Sequence, residues 1–426
     1  MNEIRDGILY IDGIDGREIQ RQYNSPVMVI SKDTILEKIH QLKRAFTDKY
    51  ENTRIAYAGK AFLCNAIIRI LKEEGLCLDV VSDGELYTAI SAEFPPESIE
   101  FNGNNKSLEE IEMAVKYGVS RIIVDGKDEI SLIEEECKKQ GKTCNVMIRF
   151  SPGVDSHTHE YITTGNIDSK FGVPLSDGII DGVIKAAMDS PYINLLGFHF
   201  HVGSQLHDNQ SHVMATGILL DVVEKFRKKL GFVPKELNLG GGFGIYYTKE
   251  DKVKSFEYFL DPVMEQIEEY FKEHNLERPA VVIEPGRSVV GEAGTTLYTV
   301  GTIKEIPGVR TYVSVNGGMT DNIRPAMYGS QYECHVNYEP GENREEQLVT
   351  ICGKCCESGD ILIRDVKVAK PKRGDLLGVF STGAYCYAMS SNYNMIRRMP
   401  VVMTSNGKSQ LIIKGESYED LIKNFI

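Results

Sequence analysis

Strand-like and helix-like segments alternate from about Asp33 to Gly286, and no other feature of these 426 residues limits the fold as much. "RIAYAG" precedes the charged, amphipathic "AIIRILKEEG". "LDVVS" precedes "DGELYTAISAE", and "RIIVDG" precedes "KDEISLIEEECKKQG". Then come "CNVMIRF", "INLLGFHFHVGS", "ELNLGGG" and "AVVIEPG", each leading into loop and helix-type sequence. Short β-rich runs spaced by helical crossovers indicate a parallel sheet. About eight such units over about 250 residues fit an α/β fold of the (β/α)8 TIM-barrel kind better than an open doubly wound sheet. After "EPGR" the texture changes. "TTLYTVGTIKEI", "RTYVSVNGG", "QLVTICGKCC", "ILIRDVKV" and "DLLGVFSTG" are β-rich runs with turn residues, which predict an all-β C-terminal domain. The opening "GILYIDGIDGREIQRQYNSPVMVIS" is also β-like and is expected to join that C-terminal sheet, because chain termini often lie close together. The expected division is an N-terminal segment (1–34) joining the β domain, a barrel (35–288) and a β-rich domain (289–426).

Composition removes several function classes. The chain is 42% hydrophobic and 26% charged, ordinary for a soluble globular protein, with a net charge of −13. That charge disfavours nucleic-acid partners and an anionic membrane surface. The start "MNEIRDGILYIDGIDG" lacks a basic stretch followed by an apolar one, so no signal peptide is expected. No apolar run approaches the roughly 18 residues of a membrane span. Nine cysteines without an export signal read as thiols in a reducing cytoplasm.

Some motifs lead nowhere. "GGGFGI" from Gly240 does not complete G-x-G-x-x-G, since its sixth residue is Ile245. "GKT" at Gly141 and "GKS" at Gly407 lack the upstream glycine of a Walker loop. Cys352 and Cys355 form a C-x-x-C, but no second pair sits at finger spacing, so no metal is expected.

Others point to chemistry at the ends of barrel strands, where such folds place it. In "YAGKAFLC", Lys60 stands where a strand hands over to a helix. It is either a solvated loop lysine or an amine that forms a Schiff base with a carbonyl compound. "GFHFHVGSQ" puts His199 and His201 on one strand face, with His201 nearer the loop and the better candidate for a ligand contact. "LNLGGGFG" runs a strand into four glycines in five residues; such backbone can approach a phosphate or simply turn. "VVIEPGRS" ends a strand on a carboxylate, Glu284, three residues before Arg287, which could equally be a surface ion pair.

Together these residues resemble the fold-type III pyridoxal-phosphate decarboxylases, whose barrel is of the alanine racemase kind. The resemblance runs from about Tyr23 to the C-terminus. "YAGKA", "HFHVGSQ", "GGGFG" and "EPGR" are broad to the fold type, whereas "HEYITTGNIDSKFG", "NIRPAMYGS", "CCESGD" and "GAYCYAMSSNYN" point to its diaminopimelate branch. The resemblance implies a carboxy-lyase that turns meso-2,6-diaminopimelate into L-lysine and CO2, the last step of lysine biosynthesis, in a cytoplasmic homodimer with shared active sites. It implies that Lys60 carries pyridoxal 5'-phosphate and that His201 stacks on its ring. Ser204 would contact the cofactor. Gly240, Gly241 and Gly242, with the backbone of Glu284, Pro285, Gly286 and Arg287, would cradle its phosphate, and Glu284 would face the ring nitrogen. Arg287, Arg324 and Tyr328 would hold the substrate, and Tyr385 would touch both cofactor and substrate. Cys356 would donate a proton and Glu357 would bind the substrate's far amino acid group, both reaching in from the second subunit.

The chemistry makes the same demands. Loss of CO2 leaves two electrons on Cα, so a protonated pyridine must receive them, and a carboxylate at its nitrogen keeps that proton in place. A thiol can reprotonate the carbon. A substrate with two amino acid ends needs a cation and an anion at the far end. Three departures from the family pattern stand out: "YAGKAFLC" for "YA-x-KAN", Lys354 where proline is common, and Cys386 where glycine is usual. The extra Cys355 beside Cys356 leaves two candidate donors. Rival readings are a decarboxylase for ornithine, lysine, arginine or carboxynorspermidine, an inactive binding homologue, and an amino acid racemase. The racemase would need an arginine rather than Glu284 at the ring nitrogen.

Overall fold

The structure is a computed structural model that describes residues 2–154, 169–176 and 178–426. It forms two compact units. One comprises Ile39–Gly244 and Val253–Gly286, the other Met1–Lys38, Ile245–Lys252 and Arg287–Ile426.

The first unit is a closed parallel barrel. Its strands are β1 (Thr53–Ala58), β2 (Cys77–Val80), β3 (Ile99–Phe101), β4 (Arg121–Val124), β5 (Cys144–Ser151), β6 (Ile193–His199), β7 (Glu236–Asn238) and β8 (Ala280–Ile283). Each pairs in parallel with the next, and β8 returns to β1 through Ile283 opposite Ile55. A short strand, Val173–Pro174, adds to β5. Helices follow the strands, as the alternation predicts. The helix Leu108–Tyr117 shows the local cause: Ser107 accepts the N–H of Glu110, and Glu110 returns a carboxylate to the N–H of Ser107. The strands read as continuous apolar runs because both faces are covered, by barrel interior and by helices. Several of those runs are interrupted by a buried polar residue: Asp79, Glu100, Arg121, Arg149, Glu236 and Asn238.

The second unit is β-rich, as expected. Its main sheet runs Ile361–Ala369, Glu346–Cys352, Arg310–Val315, Gly294–Ile306, Val27–Ser31, Val401–Ser405, Lys408–Ile413. The N-terminal strand Val27–Ser31 therefore lies inside the C-terminal sheet. It pairs antiparallel with Gly294–Ile306 and parallel with Val401–Ser405. Leu9, Ile11, Val27, Val29, Leu297 and Val402 form one core beneath it. A second core gathers Tyr298, Val313, Tyr332, Ile351, Leu377 and Cys386. Among the described residues no helix is long and apolar enough to cross a membrane.

Candidate active site

Four neighbouring strands of the barrel deliver the predicted residues to one end. After β1 the chain makes a single 3-10 turn, Gly59–Ala61, that carries Lys60, and Tyr57 pins the turn by donating its hydroxyl to the Phe62 carbonyl at 2.7 Å. The Ala58 N–H donates to the Pro285 carbonyl at 3.1 Å, which ties β1 to the turn after β8. The Glu284 N–H donates to the Gly240 carbonyl at 2.8 Å, tying that turn to the glycines after β7. The Gly241 N–H donates to His201 Nδ1 at 3.2 Å, which brings in the loop after β6. Ser204 lies half-buried in the same loop. Lys60, His201, Ser204, Gly240, Gly241, Gly242, Glu284, Pro285 and Gly286 thus all lie at the C-terminal ends of β1, β6, β7 and β8, the end at which barrel enzymes work.

The glycines are required there. Gly240 and Gly242 have φ of +64° and +104°, and a Cβ on Gly240, Gly241 or Gly242 would come within 2.6, 2.1 and 2.5 Å of the carbonyl oxygens of Phe200, Glu284 and Gly203. Main chain packed this closely gives the Gly240 and Gly241 N–H groups to Asn238 Oδ1 and His201 Nδ1 and leaves the Gly242 and Gly286 N–H groups as the candidate donors of a phosphate cradle.

The electrostatics centre on Glu284. Its Oε1 meets His199 Nε2 at 3.0 Å, Asn238 Nδ2 at 2.9 Å and Asn102 Nδ2 at 3.1 Å. Burial opposes its ionisation, but the field and hydrogen bond of His199, the Lys60 ammonium and a hydrogen bond from Glu100 hold it well below the usual carboxylate range. Asp79 and Glu100 lie close by, and the three carboxylates come within 4.8 Å of one another. Burial and the Glu284 charge push both of them well above the ordinary range. Glu284 is therefore the member that carries charge while its neighbours keep protons. The barrel end holds His201 neutral as well: desolvation, with Lys60 and Arg149, pushes its imidazole well below the ordinary range. A neutral ring that accepts from Gly241 can lie flat on an aromatic ligand without adding a positive charge. A buried anionic acceptor, a neutral imidazole, a lysine and a glycine cradle fit a pyridoxal phosphate: ring nitrogen, ring face, aldehyde and phosphate respectively.

The β-rich unit gathers the others. Arg287 is buried, donates to the Tyr247 hydroxyl at 2.5 Å and lies 4.8 Å from the centre of the Tyr385 ring. Tyr385 is half-buried, with φ of +60°. Arg324 is only 5% exposed, donates to the Tyr332 hydroxyl and lies 4.9 Å from the centre of the Tyr247 ring. Among the described residues no carboxylate lies within ion-pair distance of Arg324; its surroundings are the phenols of Tyr247 and Tyr332 and the thiol of Cys386. Tyr328 ends the short helix Arg324–Tyr328 and is half-buried. Cys356 and Glu357 are exposed. Cys355, the alternative donor, is half-buried, and burial with Asp360 pushes its thiol up to about 11.

The polar barrel interior escaped the sequence reading. Asp79, Glu100, Asn102 and Asn238 each sit in or beside an apolar strand run, and a lone polar residue in such a run was the available signal. Of the diagnostic stretch "HEYITTGNIDSKFG", residues 159–168 lie outside the described residues.

Comparison with known proteins bears on this arrangement. Residues 32–291 match the model of the pyridoxal-dependent decarboxylase family, in its pyridoxal-binding domain. The diaminopimelate decarboxylase of Bacillus subtilis is 47% identical over 417 residues, covering 98% of this chain and 95% of the relative. Among solved structures, diaminopimelate decarboxylase from M. jannaschii in complex with L-lysine superposes with a TM-score of 0.93 at 37% identity, covering 100% of this chain and 98% of that one. The Helicobacter pylori enzyme complexed with L-lysine gives 0.85 at 28% identity, covering 96% and 98%. With its barrel, its glycine cradle and its lysine-bearing turn, this chain belongs to the diaminopimelate decarboxylase family of pyridoxal-dependent decarboxylases.

Proposed function

We propose that the protein decarboxylates meso-2,6-diaminopimelate at its D-centre to give L-lysine and CO2, using pyridoxal 5'-phosphate. The observation that carries this reading is Arg324, a buried guanidinium lined by phenols, with no carboxylate within ion-pair distance among the described residues. A cation in that setting is poorly compensated until an anion arrives. The far carboxylate of diaminopimelate is such an anion, and lysine and ornithine do not have one.

Bound pyridoxal phosphate supplies the sink for the electron pair left on Cα when CO2 departs. Lys60 is the amine that holds it. The main chain of Gly240, Gly241 and Gly242 and of Glu284 to Arg287 would wall its phosphate, with the N–H groups of Gly242, Gly286 and Arg287 as donors, since those of Gly240, Gly241 and Glu284 go to Asn238, His201 and the Gly240 carbonyl. Ser204 and Tyr385 would contact it and His201 would cover the ring. Glu284, ionised in its buried setting, keeps a proton on the ring nitrogen. Arg324, Arg287 and Tyr328 orient the substrate, and Glu357 pairs with the distal ammonium. The Cys356 thiol gives its proton to Cα, forming the new C–H bond, and the thiolate regains a proton from water. Cys356 suits this role better than Cys355, whose thiol is half-buried and pushed up to about 11. Glu284 also speaks against the racemase reading, because racemases of this fold keep the ring nitrogen unprotonated.

We assign Cys356 and Glu357 to the partner subunit's site in a homodimer, and the protein to the cytoplasm, where its nine unpaired thiols belong. The test is to incubate holoenzyme with meso-diaminopimelate and look for lysine and CO2, then compare kcat/KM for D- and L-lysine and D- and L-ornithine. Equal or better use of any of the four overturns the substrate assignment.

A further inference from the structure

Two loops of the β-rich unit, residues 316–323 and 353–360, meet on one buried carboxylate. Asp360 is 3% exposed. Its Oδ1 accepts the Met319 N–H at 2.7 Å and its Oδ2 accepts the Cys355 N–H at 2.8 Å. Its main chain closes the second loop on itself: the Gly353 N–H donates to the Asp360 carbonyl at 3.0 Å, and the Asp360 N–H donates to the Glu357 carbonyl at 3.1 Å. A Cβ on Gly353 or Gly318 would lie 2.1 or 2.4 Å from Asp360 Oδ2, so the carboxylate fills space that only glycine leaves. A second buried carboxylate, Asp321, accepts the Gly318 N–H at 2.9 Å. The charged and titratable groups facing it are Asp360, Lys354, Tyr298 and Cys386.

A buried carboxylate is a costly acceptor where a neutral one would serve. Here it has a reason: both oxygens receive a main-chain N–H, one from each loop. An amide offers one acceptor, and its NH2 would confront a second donor. The first loop runs directly into Arg324, and the second carries Cys356 and Glu357.

We propose that Asp360 is a positioning residue that clamps these two loops together and so sets both Arg324 and the Cys356–Glu357 pair. The roles of those three residues rest on the function proposed above. Under that reading Arg324 serves its own subunit's site and Cys356 serves the partner's, so one carboxylate fixes a part of each. Neither sequence spacing nor the family roles of the three residues call for such a link; the two N–H contacts do.

The test uses holoenzyme, hydrogen–deuterium exchange and the variants Asp360→Asn and Asp321→Asn. In the wild type the amides of Met319 and Cys355 are expected to exchange slowly although both lie in loops. Asp360→Asn keeps the volume and loses one charge-assisted bond. Exchange in peptides spanning 317–321 and 353–358 should rise by about tenfold to a hundredfold, with the barrel peptides unchanged. Its kcat/KM for meso-diaminopimelate should fall by a similar factor, about tenfold or more, mainly in kcat through a misplaced Cys356. Asp321→Asn retains the one acceptor that Gly318 needs and should stay within about threefold in kcat/KM. Fast exchange of either amide in the wild type overturns the clamp without any variant. So does unchanged exchange in Asp360→Asn, or an equal loss of kcat/KM in both variants, which would mark general packing. A wild type that does not turn over diaminopimelate sinks the function proposed above, while the exchange data still decide the clamp.

Discussion

Glu284 holds its charge because Asp79 and Glu100 hold protons. Three buried carboxylates within 4.8 Å cannot all ionise, and His199 decides which one does: it reaches Glu284 Oε1 at 3.0 Å, whereas Asn102 is shared with Asp79 and Asn238 with Glu100. Replacing the charged member should therefore be far worse than replacing a protonated one. Glu284→Gln is expected to lower kcat by about a hundredfold or more, the scale of losing one preorganised electrostatic partner. Glu100→Gln keeps a neutral group that can donate to Glu284 and should cost less than about tenfold. Steady-state kinetics with the cofactor spectrum of each variant checks both; equal losses would mean that Glu284 is not the charged member. Lys60 makes a simpler statement. Borohydride reduction of holoenzyme followed by peptide mass mapping should place the pyridoxyl group on Lys60, and a label on another lysine would sink that assignment. Arg324→Ala should lose most of its kcat/KM for diaminopimelate and much less for a substrate without the distal carboxylate. A single broken buried charge pair is worth about 3–5 kcal/mol.

At the scale of elements, the loop 316–323 has a pH dependence of its own. Burial, reinforced by Asp360, pushes Asp321 up to about 7. The unfolded chain releases that proton near pH 4, whereas the native one keeps it until about pH 7. Between those values the native state binds more protons, so this group's contribution to stability falls as pH rises. Asp321→Asn cannot titrate. Its stability relative to wild type should therefore grow by up to about 3 kcal/mol between pH 5 and pH 8. Thermal midpoints across that range measure it, and a difference independent of pH would refute the shifted carboxyl. The elements themselves were largely legible. Strand runs such as "RIIV" and "AVVI" declare themselves by apolar continuity, but of the β-like N-terminal stretch only Val27–Ser31 lies in the C-terminal sheet: Ile8–Ile11 and Ile14–Asp15 belong to a separate small sheet and Gly16–Tyr23 is a helix. What lay hidden was which buried polar groups meet. Asp79, Glu100 and Glu284 stand about 20 and 180 residues apart in sequence, and only closure of the barrel brings them together. Asp360 looked like the end of a family motif, and its contact with Met319 depends on a loop some 40 residues away.

At the scale of the whole molecule, Cys356 raises a question that one subunit does not answer. The proton donor proposed for the carbanion belongs where water is kept out, yet Cys356 and Glu357 are exposed. Their surroundings are apolar as well as open: Tyr393 and Met395 are 43% and 48% exposed, and Asn394 between them accepts the Cys356 N–H at 2.6 Å. Exposed apolar side chains around a reactive group suit a surface that another copy covers. A two-fold interface places the same patch on both subunits, so each could complete the other's barrel end. Lys60→Ala and Cys356→Ala should each be inactive alone. Their heterodimer would have one defective site, lacking both groups, and one intact site, with Lys60 from one subunit and Cys356 from the other. Equal mixing with free subunit exchange makes half the dimers mixed, so activity should recover to about a quarter of wild type. Native mass spectrometry can verify that mixed dimers have formed. Mixed dimers without recovered activity would place Cys356 in its own subunit's site and remove the shared-site arrangement, leaving the role of Lys60 untouched.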